Sequence, residues 1–127
     1  SGRGVLALGV LGMGQEPTNH ALRDIAAARE RLEAWGRPIV LLVETEGDFA
    51  RLRDEVVGGV YGTMPSNVVL GTDPGRRVIN SIKSDSGLSG EGLPVFLVGD
   101  SFGKVYFLSR GYSIGIGEQV AGVAAKL

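Results

Sequence analysis

The chain has 127 residues, one domain of ordinary size, and its 43% hydrophobic and 21% charged residues exclude a disordered tail. Its 13 basic and 14 acidic residues give a net charge of -1, which gives no support to a nucleic-acid surface. The absence of cysteine excludes disulfides, thiolate nucleophiles, cysteine-based zinc sites and dithiol redox chemistry.

The first third of the chain is predicted as two buried strands joined by a helix. Gly4 to Gly12 is a nearly continuous apolar run, which is typical of a central strand covered on both faces. The loop after it contains Pro17, which suits the first turn of a helix. That helix is predicted from Thr18 to Trp35, where apolar side chains recur on one face, and Gly36 ends it. Pro38 to Val43 is the second buried strand.

The middle of the chain adds a helix, a strand and the start of another helix. Asp48 is predicted as the N-cap of a short helix, which leads into a glycine-rich loop from Val57 to Pro65. Ser66 to Thr72 is predicted as the third strand. The next helix starts at Asp73 as its N-cap, with a proline at its first position, and runs through Ile82.

The last third contains a hairpin and a final helix. Val95 to Val98 and Val105 to Leu108 are short apolar runs, and the turn between them has the length found in β-hairpins. Pro94 is predicted at the first position of the hairpin, or on an exposed part of it, because proline cannot donate a ladder hydrogen bond. Ser113 to Leu127 is predicted as an amphipathic helix.

This order, with Leu93-Pro94 before a strand, a Gly-Asp-x-x-Gly turn, a second strand and a last helix, resembles the C-terminal half of the thioredoxin fold. The resemblance implies a three-layer α/β/α sandwich with a central mixed sheet of about five strands. It also implies that Pro94 is cis. Thioredoxin-like redox proteins carry Cys-x-x-Cys between a central strand and the next helix, and that slot holds Gln15-Glu-Pro-Thr18 in this chain. The chain is therefore similar to the redoxin-type proteins, without their thiols.

The resemblance implies a structural or protein-interaction module and not an enzyme. Residues 1–127 would form one thioredoxin-like domain, the terminal module of a longer, multidomain and extracytoplasmic protein, whose other domains would be among its partners. The candidate groove would bind a protein or an extended peptide by strand pairing, and the segment from Val60 to Met64 is predicted to form part of it. Its residues are Gln15, Glu16, Pro17, Thr18, Leu93 and Pro94.

No cofactor, metal ion, nucleic acid or membrane span is predicted. The longest apolar runs have the length of strands, which is too short to cross a membrane. The acids Glu44, Glu46 and Asp48 are typical of a helix start, where negative charge favours the helix dipole, and they lack the spacing of a metal site.

Two other classes of function stay open. A hydrolase or transferase would use His20 with Thr18, although side chains two residues apart on a helix do not face each other. The sequence favours Thr18 and Asn19 as helix caps instead. A small-molecule or nucleotide binder would use the strand ends, where Met13 to Gln15 and Thr72 to Pro74 converge. The glycines at 9, 12 and 14 have the reverse of the dinucleotide-binding spacing.

Overall fold

A mixed sheet of five strands organises the chain in a computed structural model that describes residues 5–78, 93–100, 104–110 and 115–126. The strands are β1 (Leu6–Val10), β2 (Ile39–Val43), β3 (Val68–Thr72), β4 (Val95–Gly99) and β5 (Val105–Arg110). Their order is β3-β2-β1-β4-β5, so β1 is central as predicted. β1, β2 and β3 run parallel, whereas β4 is antiparallel to both β1 and β5. The predicted α/β class and the predicted hairpin are confirmed.

Four α-helices lie in the described part of the chain: α1 (Glu16–Ala27), α2 (Arg29–Trp35), α3 (Glu46–Val57) and α4 (Ile116–Ala124). The prediction of one helix from Thr18 to Trp35 is wrong, because Ala28 leaves helical geometry with a ψ of 16° and divides α1 from α2. Gly36 ends α2 at a φ of 75°, as predicted for a residue without a β-carbon.

The start of α3 differs from its prediction. Thr45 is the N-cap, and its hydroxyl accepts a hydrogen bond of 3.0 Å from the backbone N–H of Asp48. Asp48 therefore lies inside the first turn and is not the cap. Its negative charge there still favours the positive end of the helix dipole.

The helix predicted to start at Asp73 is described only in part. A 3-10 turn covers Pro74–Arg76, and Gly75 interrupts it with a φ of 69°. The Asp73 carboxylate accepts the backbone N–H of Val78 at 2.9 and 3.1 Å. The remainder of this predicted helix, through Ile82, lies outside the described residues, as does most of the predicted hairpin turn.

The larger of two hydrophobic clusters among the described residues lies between the sheet and the helices. Alternate residues of neighbouring strands face it, among them Ala7, Leu41 and Val98, each at most 3% exposed. All four helices contribute buried side chains to the same core, namely Leu22, Ile25, Leu32, Leu52 and Ile116. This packing holds the strands, and the loops that follow them, in place.

Candidate functional site

The carboxyl ends of the three parallel strands meet at one edge of the sheet. The N–H of Leu11 donates to the C=O of Leu42 at 2.8 Å, and the N–H of Asp73 donates to the C=O of Val43 at 2.7 Å. These bonds continue the parallel pairing beyond the ends of β1 and β3. The loops after β1, β2 and β3 are therefore side by side, which is where α/β sheets commonly bind ligands.

The segment before β4 reaches the same edge from the opposite direction. Val95 is paired with Val10 in antiparallel register, so Pro94 and Leu93 lie next to the loop that follows β1. The Leu93–Pro94 peptide bond is cis, as the resemblance implies. Pro94 is fully buried and directly precedes β4.

Thr18 holds the loop between β1 and α1. Its side chain is fully buried, and its Oγ1 accepts a hydrogen bond of 3.0 Å from the N–H of Gly12. The N-cap of α1 is Gln15, so the prediction that Thr18 and Asn19 cap this helix is wrong. Thr18 instead gives a partner to a buried main-chain donor.

Gln15 occupies the position of the first cysteine of the Cys-x-x-Cys motif, and its side chain packs against the same loop. A β-carbon on Gly12 would lie 2.7 to 2.8 Å from the Cδ, Oε1 and Nε2 atoms of Gln15. Glycine at position 12 is therefore what allows the carboxamide to lie over the backbone. Pro17 occupies the first turn of α1, as predicted.

A cavity of about 230 Å³ opens at this edge of the sheet. Two of the predicted groove residues, Gln15 and Leu93, line it although they are far apart in sequence. Thr18 and Pro94 are buried close by, whereas Glu16 is exposed on the first turn of α1. The full lining consists of Val10, Leu11, Gly12, Met13, Gln15, Glu44, Asp48, Asp73 and Leu93.

The segment from Val60 to Met64 lies elsewhere. A β-carbon on Gly62 would come within 3.2 Å of the β-carbon of Ala26, which is in the last turn of α1. Ala26 is ten residues further along α1 than Glu16, which is about 15 Å at 1.5 Å per residue. No residue of this segment is among those that line the cavity.

The sequence did not reveal that three acidic residues line the cavity, one of which, Asp73, is buried and accepts the Val78 N–H. Glu44 follows β2, Asp48 is in the first turn of α3, and Asp73 follows β3. The available signal was the position of Glu44 and Asp73 directly after strands that were predicted to be parallel. Within the described residues, no group of three or more histidine, aspartate or glutamate side chains is arranged to hold a metal ion.

The pair suggested for hydrolase or transferase chemistry has an unfavourable geometry. The Thr18 hydroxyl is buried and accepts the Gly12 N–H, while His20 is on the exposed side of α1. A nucleophile must be reachable by a substrate and paired with a base. The structure gives this alternative no support.

No protein-family model matches the chain, and no curated protein matches its sequence. Among solved structures, a thiol:disulfide interchange protein described as DsbE from Chlorobium tepidum superposes with a TM-score of 0.67 over 96% of this chain and 78% of its own. This chain has the thioredoxin-like fold. The sequence identity to that protein is 16%, so the likeness establishes the fold and not the activity.

Two further solved structures also resemble the chain in fold at low sequence identity. StoA from Bacillus subtilis is 11% identical, with a TM-score of 0.60 over 95% of this chain and 83% of its own. The exposed lipoprotein thioredoxin Etrx1 from Streptococcus pneumoniae is 14% identical, with a TM-score of 0.59 over 99% of this chain and 86% of its own. The thioredoxin-like chain described here has no cysteine, so it lacks the Cys-x-x-Cys motif.

None of the described helices of this thioredoxin-like chain combines the length and the apolar character needed to cross a membrane.

Proposed function

We propose that this thioredoxin-like domain is a redox-inactive interaction module that binds an extended segment of a partner protein. Its groove would consist of Gln15, Glu16, Pro17, Thr18, Leu93 and Pro94. One observation carries the proposal: Gln15 and Leu93, which are far apart in the sequence, line one cavity at the ends of the parallel strands. Without a cysteine, the chain forms no mixed disulfide, and binding is non-covalent.

Strand addition supplies the affinity in this proposal. Leu93 lines the cavity and lies two residues before the start of β4, so its backbone is not part of that strand. An extended peptide next to Leu93 would exchange main-chain hydrogen bonds with it, while its side chains enter the adjacent cavity. The Gln15 carboxamide offers two donors and an acceptor at the other wall.

A small-molecule site is the second candidate, and the position of the cavity at the strand ends favours it. Its volume argues against it. At about 230 Å³ the cavity is smaller than the roughly 300 to 1,000 Å³ of ordinary ligand pockets, and it has the size for one peptide side chain. A thermal-shift panel of nucleotides and metabolites tests this candidate, and a stabilising compound that competes with peptide would support it.

The setting of the module is part of the same proposal. We place it in a larger, extracytoplasmic protein, because one of its structural neighbours is an exposed lipoprotein. The other domains of that protein are then possible partners for the groove. Detection of the parent protein outside the cytoplasm by fractionation would support this placement, and its recovery in the cytoplasm would contradict it.

The binding proposal is tested with an array of random peptides of about 15 residues, followed by NMR titration of the best binder. We expect the amide resonances of Gly12, Gly14, Gln15 and Leu93 to shift. Those of Gly36, at the opposite end of the sheet, should stay in place. An array without binders, or shifts confined to the Gly36 end, would overturn the proposal.

A pair of variants checks the site independently. Gln15→Trp fills the mouth of the cavity, and we expect it to raise the Kd of the best peptide by about 10-fold. Gln119→Trp makes the same substitution on the exposed face of α4 and should leave the Kd unchanged. Equal effects of the two variants would contradict binding at the cavity.

A further inference from the structure

The strand β3 lies at one edge of the sheet, and its outer side pairs with no described strand. The hydrogen bonds at its two ends show which of its residues bond to β2. At one end, the Ile39 N–H donates to the C=O of Asn67 at 3.0 Å. At the other end, the Asp73 N–H donates to the C=O of Val43 at 2.7 Å. Because alternate residues of a parallel strand bond to the same neighbour, residues 67, 69, 71 and 73 face β2.

The main-chain groups of Val68, Leu70 and Thr72 therefore point outward from the edge of the sheet. The Val68 N–H is already used, since it donates to the C=O of Pro65 at 3.2 Å. Within the described parts of the chain, no hydrogen bond uses the N–H groups of Leu70 and Thr72 or the C=O groups of Val68 and Leu70. Such a row of unpaired donors and acceptors is a template for a further strand.

The opposite edge of the sheet, β5, has features that oppose such pairing. The exposed residue Lys104 directly precedes it, and the pairing of β4 with β5 is shifted between Val98 and Gly99. Charged side chains and bulges are devices by which edge strands avoid association. The sequence of β3, Val-Val-Leu-Gly-Thr, contains neither a charge nor a proline, and its pairing with β2 is regular. The edge at β3 is therefore open to another strand.

One face of β3 also carries an exposed apolar side chain. Val68 and Leu70 pack against the core, so Val69 faces the other side of the sheet, where it is 51% exposed. Gly71 faces the same side and is covered by Leu42, whose Cδ2 is 3.0 Å from the position of a β-carbon on Gly71. The strand thus presents a projecting valine and, two residues later, a glycine with an apolar neighbour.

We propose that β3 pairs with β3 of a second copy of this chain, in antiparallel register about a two-fold axis at Leu70. The N–H and C=O of Leu70 then bond to the C=O and N–H of Leu70 in the second copy. The Thr72 N–H donates to the C=O of Val68 in the second copy, and the symmetry repeats this bond. This register uses all the unpaired outward groups identified above.

The same register also matches the side chains. Val69 of one copy lies opposite Gly71 of the other and packs against the Leu42 side chain there. A second copy suits this edge because the strand is complementary to itself, and a net charge of -1 adds little repulsion between copies. A two-fold contact closes on itself, so the pairing stops at a dimer.

This inference goes beyond the peptide groove and does not depend on it. The cavity lies at the carboxyl ends of the parallel strands, and β3 of the two copies would run in opposite directions. The dimer would therefore carry its two cavities at opposite ends of one continuous sheet. A partner with two binding segments could engage both only by spanning that sheet.

The mass of the chain in solution tests the pairing. We expect sedimentation equilibrium between about 1 μM and about 1 mM to show a concentration-dependent rise from monomer to dimer, because a single strand pair is a small interface. Val69→Lys places a charge on the proposed contact and should raise the dimer Kd by about 10-fold or more. Val105→Lys, at a 47% exposed position of β5, is the matched control and should leave the Kd unchanged.

Amide hydrogen exchange below and above the dimer Kd identifies the paired strand directly. The N–H groups of Leu70 and Thr72 should exchange slowly only in the dimer, where they bond to the second copy. Those of Val69 and Gly71 should exchange slowly at both concentrations, because they bond to β2 within each copy. This measurement uses the unchanged chain, so it does not depend on how well a variant folds.

Three results would overturn the proposal. The first is a chain that stays monomeric up to about 1 mM. The second is equal weakening of the dimer by Val69→Lys and Val105→Lys, or a dimer in which the Leu70 and Thr72 amides stay unprotected. The third is protection of these two amides by an array peptide in a chain that remains monomeric, because the occupant of the edge would then be another protein. None of these results bears on peptide binding at the cavity, so the two proposals fail separately.

Discussion

Thr18 shows what one side chain does at a site that has no thiols. It occupies the position of the second cysteine of the Cys-x-x-Cys motif. Its side chain is fully buried, and its hydroxyl accepts a hydrogen bond of 3.0 Å from the Gly12 N–H. A hydroxyl at this position therefore holds the loop that carries Gln15. Its contribution is to structure and not to chemistry.

Removal of this hydroxyl should destabilise the fold. Thr18→Val keeps the shape of the side chain but leaves a buried N–H without a partner, which costs about 1 to 3 kcal/mol. We expect that loss in the free energy of unfolding, measured with urea. Thr63→Val, at an exposed loop position, is the matched control and should change stability by no more than about 0.5 kcal/mol. Equal losses in the two variants would contradict the assigned role of Thr18.

Tyr61 and Glu55 form a second residue-level interaction, which lies away from the cavity. The Tyr61 hydroxyl donates to the Glu55 carboxylate. Burial, with this hydrogen bond adding to it, raises the pKa of Tyr61 to about 12. The same bond holds the pKa of Glu55 below its ordinary value.

These shifts predict how stability depends on pH. Because the folded-state pKa of Tyr61 lies above its ordinary value of 10.0, its stabilisation is fully present below about pH 10 and is lost between there and about pH 12. Two pKa units correspond to about 2 to 3 kcal/mol. We expect the stability advantage of wild type over Tyr61→Phe to shrink over this range, measured by urea unfolding. Tyr106, whose hydrogen bond to Asp100 also raises its pKa, is present in both proteins and cancels. An advantage independent of pH would contradict the assignment.

At the scale of elements, α1 and α4 approach each other closely. A β-carbon on Gly117 would lie 2.2 Å from the backbone oxygen of Asp24, far inside van der Waals contact. The Asp24 carboxylate also accepts the N–H of Gly115 at 3.1 Å, just before α4 begins. Glycine at position 117 is therefore a requirement of the helix packing.

Two glycines of α4 give opposite predictions for the same substitution. Gly117→Ala should destabilise the protein by about 1 to 3 kcal/mol, because the new methyl group forces the helices apart. Gly122→Ala has open space around its β-carbon and should stabilise by up to about 1 kcal/mol through helix propensity. Thermal unfolding of both variants measures the difference. The same sign for both would show that the helix contact is not as described.

The strands were predictable because they are short, apolar and separated by glycines, and the continuous apolar run of β1 predicted its central place in the sheet. The break between α1 and α2 at Ala28 was not predictable. The sequence around it contains no helix breaker, and the Ala28 N–H donates to the carbonyls of both Asp24 and Ile25, which marks a local tightening of the helix. The cap of α3 was misplaced because Thr45 and Asp48 are both good caps by residue type.

At the scale of the whole molecule, the candidate site was only half predictable. The motif slot and the Leu-Pro segment identified Gln15 and Leu93, since the resemblance aligns both. The three acidic residues of the cavity were not predicted as part of the site, because they lie in different segments of the chain. They become neighbours only through the parallel pairing of β1, β2 and β3. Local sequence explained each of them as a helix cap or a helix start, whereas tertiary structure makes them neighbours.

The absence of cysteine allows the field of the cavity to be measured without any peptide. Gln15→Cys would introduce the only thiol of the chain at the cavity wall. The N-terminus of α1 favours the thiolate, while the carboxylates of Glu44, Asp48 and Asp73 oppose it. If the carboxylates prevail, the pKa of this thiol stays near or above its ordinary value of about 8.5.

Neutralising two of the acidic side chains should then allow the N-terminus of α1 to lower the pKa of the thiol. We expect Glu44→Gln with Asp48→Asn to lower the thiol pKa by about half a unit to one unit, measured from the pH dependence of alkylation. Glu30→Gln with Asp54→Asn, in the same Gln15→Cys background, removes two exposed charges that do not line the cavity and should leave the pKa nearly unchanged. A pKa that does not respond to Glu44 and Asp48 would mean that position 15 does not experience the field of these two side chains.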